Sequence, residues 1–401
     1  CGRIRSSKKI RNAVVGEAVK LGDDRSFFDA GIDNDIQERA NQFETEMNTN
    51  MYENEPEFET EPKPAENISA DGLEKISENP LDFDIPETVC CDYRQPYKRA
   101  RRLLYNDKDY ERAYKALVTE VKHGNVPAMF DLGKMYQNNL YVDKDSKKAE
   151  YLFKHALRGY ILLENADPSD FFEYQIGRIY ALETEFQDYV KARGWFETAA
   201  DKENKYAMFA LGNIYYYGNG TDIDYEKAFD YMSKSAERRC VHSYFRLGYM
   251  LRKGIGCEEN IEESDKWFSK MIAHYESCII KLDALNYYIL GQLYEKGWGC
   301  EKDIDKAMQY YAEACEANNA NAEFALGRLY ITQGDEEQGE EYINRAIEHG
   351  NEYAEEWYEN WKEYRQNIYT QAAVHSAANL FCRLASLINI SIVTPNAFAI
   401  L

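Results

Sequence analysis

Few residues of this 401-residue chain have the types and spacing that covalent or metal chemistry needs. Six histidines (His123, His155, His242, His274, His349 and His375) are scattered, and none stands four residues from another or inside a metal-ligand motif. His123 and His349 each precede a glycine at an expected helix end, where a cation favours the helix dipole. No nucleophile elbow, phosphate-binding loop or paired-carboxylate motif stands out, and glutamate is too abundant for one to be chosen as acid or base. The chemistry on offer is recognition. Lys134, Arg178, Arg246, Tyr249 and Arg328 are the candidate partner-binding residues, because arginine and tyrosine supply interface anchors out of proportion to their number. They predict a protein or peptide partner, with no catalytic residue, no metal and no cofactor.

These five residues recur inside one nine-residue frame. Its copies include Ala128-Met-Phe-Asp-Leu-Gly133-Lys-Met-Tyr136, Phe172-Glu-Tyr-Gln-Ile-Gly177-Arg-Ile-Tyr180 and Ala207-Met-Phe-Ala-Leu-Gly212-Asn-Ile-Tyr215. Three more carry Gly248, Gly291 and Gly327 in the same place. Position three is always aromatic, position five Leu or Ile, and position six Gly. A frame returning every 35 to 44 residues is the mark of a stacked repeat array. Positions one, five and eight share one helical face. A glycine inside a helix costs about 1 kcal/mol relative to alanine. Six such costs predict that a neighbouring helix passes too close for a Cβ.

The second half of each unit supplies that neighbour. A Lys-Ala start, an aromatic pair and small residues follow, as in Lys191-Ala192, Trp195-Phe196 and Ala199-Ala200. Rings on one helix facing small residues on the next interlock. Each unit therefore reads as two antiparallel helices, A and B. The A–B turn is Gly-x-Gly in three units (Gly218 and Gly220, Gly254 and Gly256, Gly297 and Gly299), and Asp224, Asn260 or Asp303 then caps helix B. No strand precedes these glycines and they recur with the repeat, so they are turns rather than a phosphate cradle.

The frame Ala-x-Phe/Tyr-x-Leu-Gly-x-x-Tyr, the Gly-x-Gly turn and the Asp-x-x-Lys-Ala start resemble the Sel1-like repeat, a relative of the tetratricopeptide repeat. The likeness covers roughly residues 97 to 356. It implies an all-α, right-handed α/α superhelix whose members mostly act as adaptors assembling protein complexes. In superhelices of this class helix A lines the concave face. Positions four and seven, one turn apart and variable in type, should then project into the groove, and these include the five candidate residues. A second likeness concerns Tyr97-x-x-Ala-x-x-Leu-Leu-Tyr105 and His123-Gly-Asn-x-x-Ala-Met-x-Asp-Leu-Gly-Lys-Met-Tyr136, which are similar to the tails of MobL-type plasmid relaxases. On that alternative the chain is an accessory region whose nicking domain is missing, and no nicking residue is carried over. The start at Cys1 rather than Met reads as a fragment.

The formal net charge of −22 repels a phosphate backbone and favours basic partners, so no direct nucleic-acid binding is expected. No apolar run approaches the roughly 20 residues that span a membrane. Nine cysteines show no metal-ligand spacing. Cys257 and Cys300 share one repeat position, and helix pairs about 10 Å apart exceed disulfide reach. A secreted subgroup of the resembled family pairs cysteines inside single repeats; this chain does not, which predicts a cytoplasmic protein.

Along the chain, residues 1–40 read as a basic-to-mixed segment and 41–92 as a disordered acidic linker whose composition cannot offset the entropy of ordering. Residues 93–362 form the repeats, with a degenerate first unit carrying Arg102 in the glycine place, six full units and a terminal cap. A helix follows at 363–390 and a tail at 391–401. Two glycine spacings of 44 and 43 mark inserts after helix B of the first and fourth full units, which should lengthen those helices.

Overall fold

The computed structural model describes residues 79–182, 184–278, 283–367 and 370. The segment 1–40, all of the acidic stretch before Asn79, and the helix and tail expected beyond residue 370 lie outside the described residues. Two compact units are present. Of the described residues, one takes 79–278 and Gly297–Glu301, the other 283–296 and those from Lys302 onward. Among the described residues the secondary structure is helical, with one isolated β-bridge between Cys90 and Asn125.

In the larger unit, α1 (Gln95–Arg101) and α2 (Tyr110–Lys122) form the degenerate first pair. Four full pairs follow: α3 (Val126–Gln137) with α4 (Ser146–Ala166), α5 (Asp170–Ala181) with α6 (Tyr189–Asp201), α7 (Lys205–Tyr217) with α8 (Tyr225–Glu237), and α9 (Val241–Lys253) with α10 (Ile261–Ser277). In the smaller unit, α11 (Ala284–Lys296) pairs with α12 (Ile304–Cys315) and α13 (Ala320–Gln333) with α14 (Glu336–Glu348). A further helix, α15, spans 354–367. Within each unit every B helix also packs on the A helix that follows it. This is an all-α repeat solenoid.

The local chemistry explains the elements. Asp188, Asp224, Asn260, Asp303 and Asp335 each accept a hydrogen bond from the backbone N–H three residues on, starting a B helix. Gly218 and Gly254 end their A helices in the left-handed region (φ 73° and 64°), where a Cβ is disfavoured. The two inserts appear as longer B helices: α4 has 21 residues and α10 has 17, against 13 in α6 and α8.

The six frame glycines have a steric cause. A Cβ on Gly133 would lie 2.6 Å from the Phe153 ring, on Gly177 2.7 Å from Phe196, on Gly212 2.7 Å from Met232 and on Gly248 2.8 Å from Phe268. On Gly291 it would press on the Tyr311 ring, and on Gly327 it would lie 2.9 Å from the Gly339 carbonyl oxygen. Each contact joins helix A to its own helix B.

Two boundaries differ from expectation. Residues 79–92 belong to the packed unit, not to an acidic linker. Leu81, Val89 and Cys91 are buried in its core, and Cys90 exchanges backbone hydrogen bonds with the α2–α3 turn (Cys90 N to Gly124 O, 3.0 Å; Val126 N to Cys90 O, 2.9 Å). A few spaced apolar residues outweigh the acidic average. At the degenerate unit, the chain after Arg101 turns as a π-helix, Arg102–Asn106. The wider turn carries Arg102 out to solvent, where it pairs with Asp107. Arg102 therefore does not occupy the glycine contact.

Candidate protein-interaction surface on the A helices

Lys134, Arg178, Arg246 and Tyr249 stand on the A helices of the larger unit, and Arg328 stands on α13 of the smaller. None projects into open solvent as expected. Their exposures run from 3% to 7% of a free residue. The reason is visible in their partners, which for the three arginines lie on the preceding A helix or its end. Arg178 on α5 sits 4.7 Å from the centroid of Phe130 on α3 and donates to Gln175 Oε1 at 2.7 Å. Arg246 on α9 lies over Tyr216 and Tyr217 of α7, at 4.7 and 5.1 Å, and donates to the Tyr217 hydroxyl at 2.5 Å. Arg328 pairs with Glu295 on α11 at 2.6 Å. Positions four and seven thus fill the seam between consecutive A helices. Each of the three arginines rests on rings or a carboxylate, and a desolvated cation–ring contact is worth about 2 kcal/mol.

Lys134 donates to Gln137 Oε1 at 2.7 Å on its own helix. The Tyr249 ring lies 6.3 Å from that of Trp298. Asp131, at position four of the first full unit, is also enclosed. It accepts from the Tyr97 and Tyr105 hydroxyls at 2.7 and 2.8 Å, and Arg101 stands 3.7 Å away. Burial pushes its carboxyl above the usual range, and Arg101 and the two hydroxyls oppose the shift. In the smaller unit Glu295 accepts from Tyr311 at 2.7 Å as well as from Arg328. Burial and the Glu295 charge hold the Tyr311 phenol well above its ordinary value. Asn213, at position seven of α7, is fully buried, and neither end of its amide has a protein hydrogen-bond partner.

Among the described residues no three His, Cys, Asp or Glu side chains come together to hold a metal ion. The seven described cysteines are free thiols, and burial lifts that of Cys315 to about 12. No described helix is long and apolar enough to cross a membrane. Sequence reasoning missed Arg101, Tyr97 and Tyr105 as the surroundings of Asp131. Their signal was the degenerate unit itself, which supplies two tyrosines and three arginines within nine residues.

A family model describes the helix pairs. The Sel1 repeat matches residues 126–158, 173–204, 205–239, 241–274, 287–319 and 320–351. The chain carries six Sel1 repeats. A Sel1 repeat protein from Oxalobacter formigenes is 24% identical over 63% of this chain and 99% of that one, with a TM-score of 0.44. A protective antigen of uropathogenic Escherichia coli strains, displaying an SLR fold, is 22% identical over 60% of this chain, with a TM-score of 0.39. The match spans 57% of the antigen's length. Yeast Tom70 is 13% identical over 78% of this chain and 70% of that one, with a TM-score of 0.37. Among curated proteins none matches. As a Sel1-repeat chain it falls in a class whose members generally mediate protein–protein contacts.

Proposed function

We propose that this Sel1-repeat chain is a non-catalytic scaffold that holds a peptide or protein segment along a concave wall built by its A helices. The supporting observation is the non-repeating identity of positions four and seven within a strictly repeating frame. Asp131, Gln175, Ala210 and Arg246 occupy the fourth place of the larger unit, and Lys134, Arg178, Asn213 and Tyr249 the seventh. Each seam pairing differs from the one before, so the wall presents a different surface at every repeat, as recognition of a particular partner segment requires. Lys134, Arg178, Arg246 and Tyr249 set the shape of that wall in the larger unit from beneath its surface, and Arg328 does the same in the smaller.

The test is site-specific photo-crosslinking in the native host. A benzophenone side chain replaces Tyr217, the half-buried neighbour of Arg246, and, in a second variant, Lys266 on the outer face of α10. Capture of one protein at Tyr217 and not at Lys266 is expected. Capture only at Lys266 rejects the wall, and capture of nothing at either position rejects the scaffold.

A further inference from the structure

Six large apolar side chains stand exposed among the described residues, and five of them share one kind of place. Tyr141, Val190, Ile223, Tyr225 and Ile261, 41% to 58% exposed, lie in an A–B loop or in the first turn of a B helix, all in the larger unit. Turn glycines join four of them into a row. A Cβ on Gly220 would meet Tyr189 Cβ at 2.6 Å and the Val190 nitrogen at 3.1 Å, so the loop bearing Ile223 rests on the first turn of α6. A Cβ on Gly256 would press on the Tyr225 carbonyl oxygen, so the loop leading to Ile261 rests on the first turn of α8. Val190, Ile223, Tyr225 and Ile261 thus run across three consecutive repeats.

The rim of this row is acidic. Glu185, Asp222, Glu226, Glu258 and Glu259 are exposed beside it. The nearest lysines are turned to local use: Lys191 pairs with its helix cap Asp188 at 3.3 Å, and Lys227 with Asp224 at 3.2 Å. An apolar row with a carboxylate rim selects against most occupants. A second copy of this chain would bring the same carboxylates face to face, and like charges across an interface cost several kcal/mol. A nucleic acid meets the same repulsion.

We propose that this loop edge docks a partner-protein segment in which spaced aliphatic side chains are interspersed with Lys or Arg. Helix pairs stack about 10 Å apart. An extended segment covers that step in about three residues, and a helix in about seven. The partner's apolar residues should therefore recur with one of those periods. This surface is separate from the A-helix wall, and either can fail without the other.

The experiment selects random displayed peptides on the full chain, with counter-selection on the Ile223→Ser/Ile261→Ser double variant. Both side chains are exposed, so the variant is expected to keep the wild-type circular dichroism and melting temperature. Enriched peptides should carry aliphatic residues with Lys or Arg. A synthetic one should bind the double variant at least tenfold more weakly, and added NaCl should weaken its binding to wild type. The Glu226→Gln/Glu258→Gln/Glu259→Gln variant should lose most of that salt dependence. Acidic or uncharged winners, equal binding to both proteins, or no enrichment overturns the proposal. So does sedimentation showing a dimer of the wild type that the double variant abolishes, because the occupant is then a second copy.

Discussion

The A helix α7 and the B helix α8 each have 13 residues, yet they are buried in different ways. In α7, nine consecutive residues from Ala207 to Tyr215 are buried, and in α9 nine from Ser243 to Leu251. In α8 only Ala228, Met232, Ser235 and Ala236 are buried, the narrow stripe of a surface helix. A helix covered on every side must find partners for each polar group it carries. The A helices do so largely with the arginine–ring and arginine–carboxylate contacts of positions four and seven, Asn213 of α7 being the exception. In α8 the charges stay in water. Variation in residue type along a repeat is therefore not a sign of exposure: on helix A it marks a seam whose two sides are matched pair by pair.

The largest test of this contrast is Arg328→Ala in the A layer against Lys234→Ala in the B layer. Removing Arg328 strands Glu295 in the interior, and breaking a buried pair in this way costs about 3–5 kcal/mol. Lys234 pairs with Asp230 one turn away, both half exposed, and its loss should change stability by less than about 0.5 kcal/mol. Urea unfolding of the full chain measures both. Similar midpoints for the two variants would mean that the A seam is as solvated as the B surface.

Steric fit gives the next contrast. In Gly177→Leu the new side chain meets the Phe196 ring, whose Cδ1 already lies 2.7 Å from the Cβ position. Overpacking of this kind costs about 1–3 kcal/mol, well above the helix-propensity gain of about 1 kcal/mol. The variant should melt several degrees lower with unchanged helicity. An unchanged melting temperature would remove the steric reason for all six frame glycines.

Much of this was legible in the sequence, and the reason is locality. The glycine, the ring it meets and the capping aspartate all lie within one repeat, so their pattern is written at short range. What lay between repeats was not legible. Helical spacing tells which face of its own helix Arg178 occupies, but not that Phe130 of the previous unit covers that face. Asp131 finds Tyr97 and Tyr105 at separations of 34 and 26 residues, which no local pattern announces. Residues 79–92 failed for another reason: composition averaged over an acidic stretch hides the few residues, Leu81, Val89 and Cys91, that anchor it.

pH separates the layers further, through the long helix α4. His155 lies on this B helix, and burial, with help from Arg158, lowers its pKa to about 4. The folded state thus prefers the neutral ring. Its contribution to stability is complete above the unfolded value near 6.5 and is lost as pH falls from there to about 4. Allowing for the ring's partial solvent access, the loss is about 1–2 kcal/mol. The fall in melting temperature between pH 7 and pH 4.5 should be smaller in His155→Gln than in wild type. Equal falls would mean that the imidazole charges freely and that this face of α4 is open to water.

The smallest effect has the opposite sign. Gly194 lies inside α6 as Gly177 lies inside α5, but a Cβ on Gly194 would meet nothing within 4 Å. Here no neighbour justifies the glycine, and only its cost in a helix interior remains. Gly194→Ala should raise stability by about 0.5–1 kcal/mol, while Gly177→Ala should not, since its new methyl falls on the Phe196 ring. The comparison holds residue type, helix length and position within the helix nearly constant and varies only the layer. A gain at both positions would show that the A–B contact yields to a methyl group. A loss at Gly194 would show that the outer face of α6 is covered by something that these contacts omit.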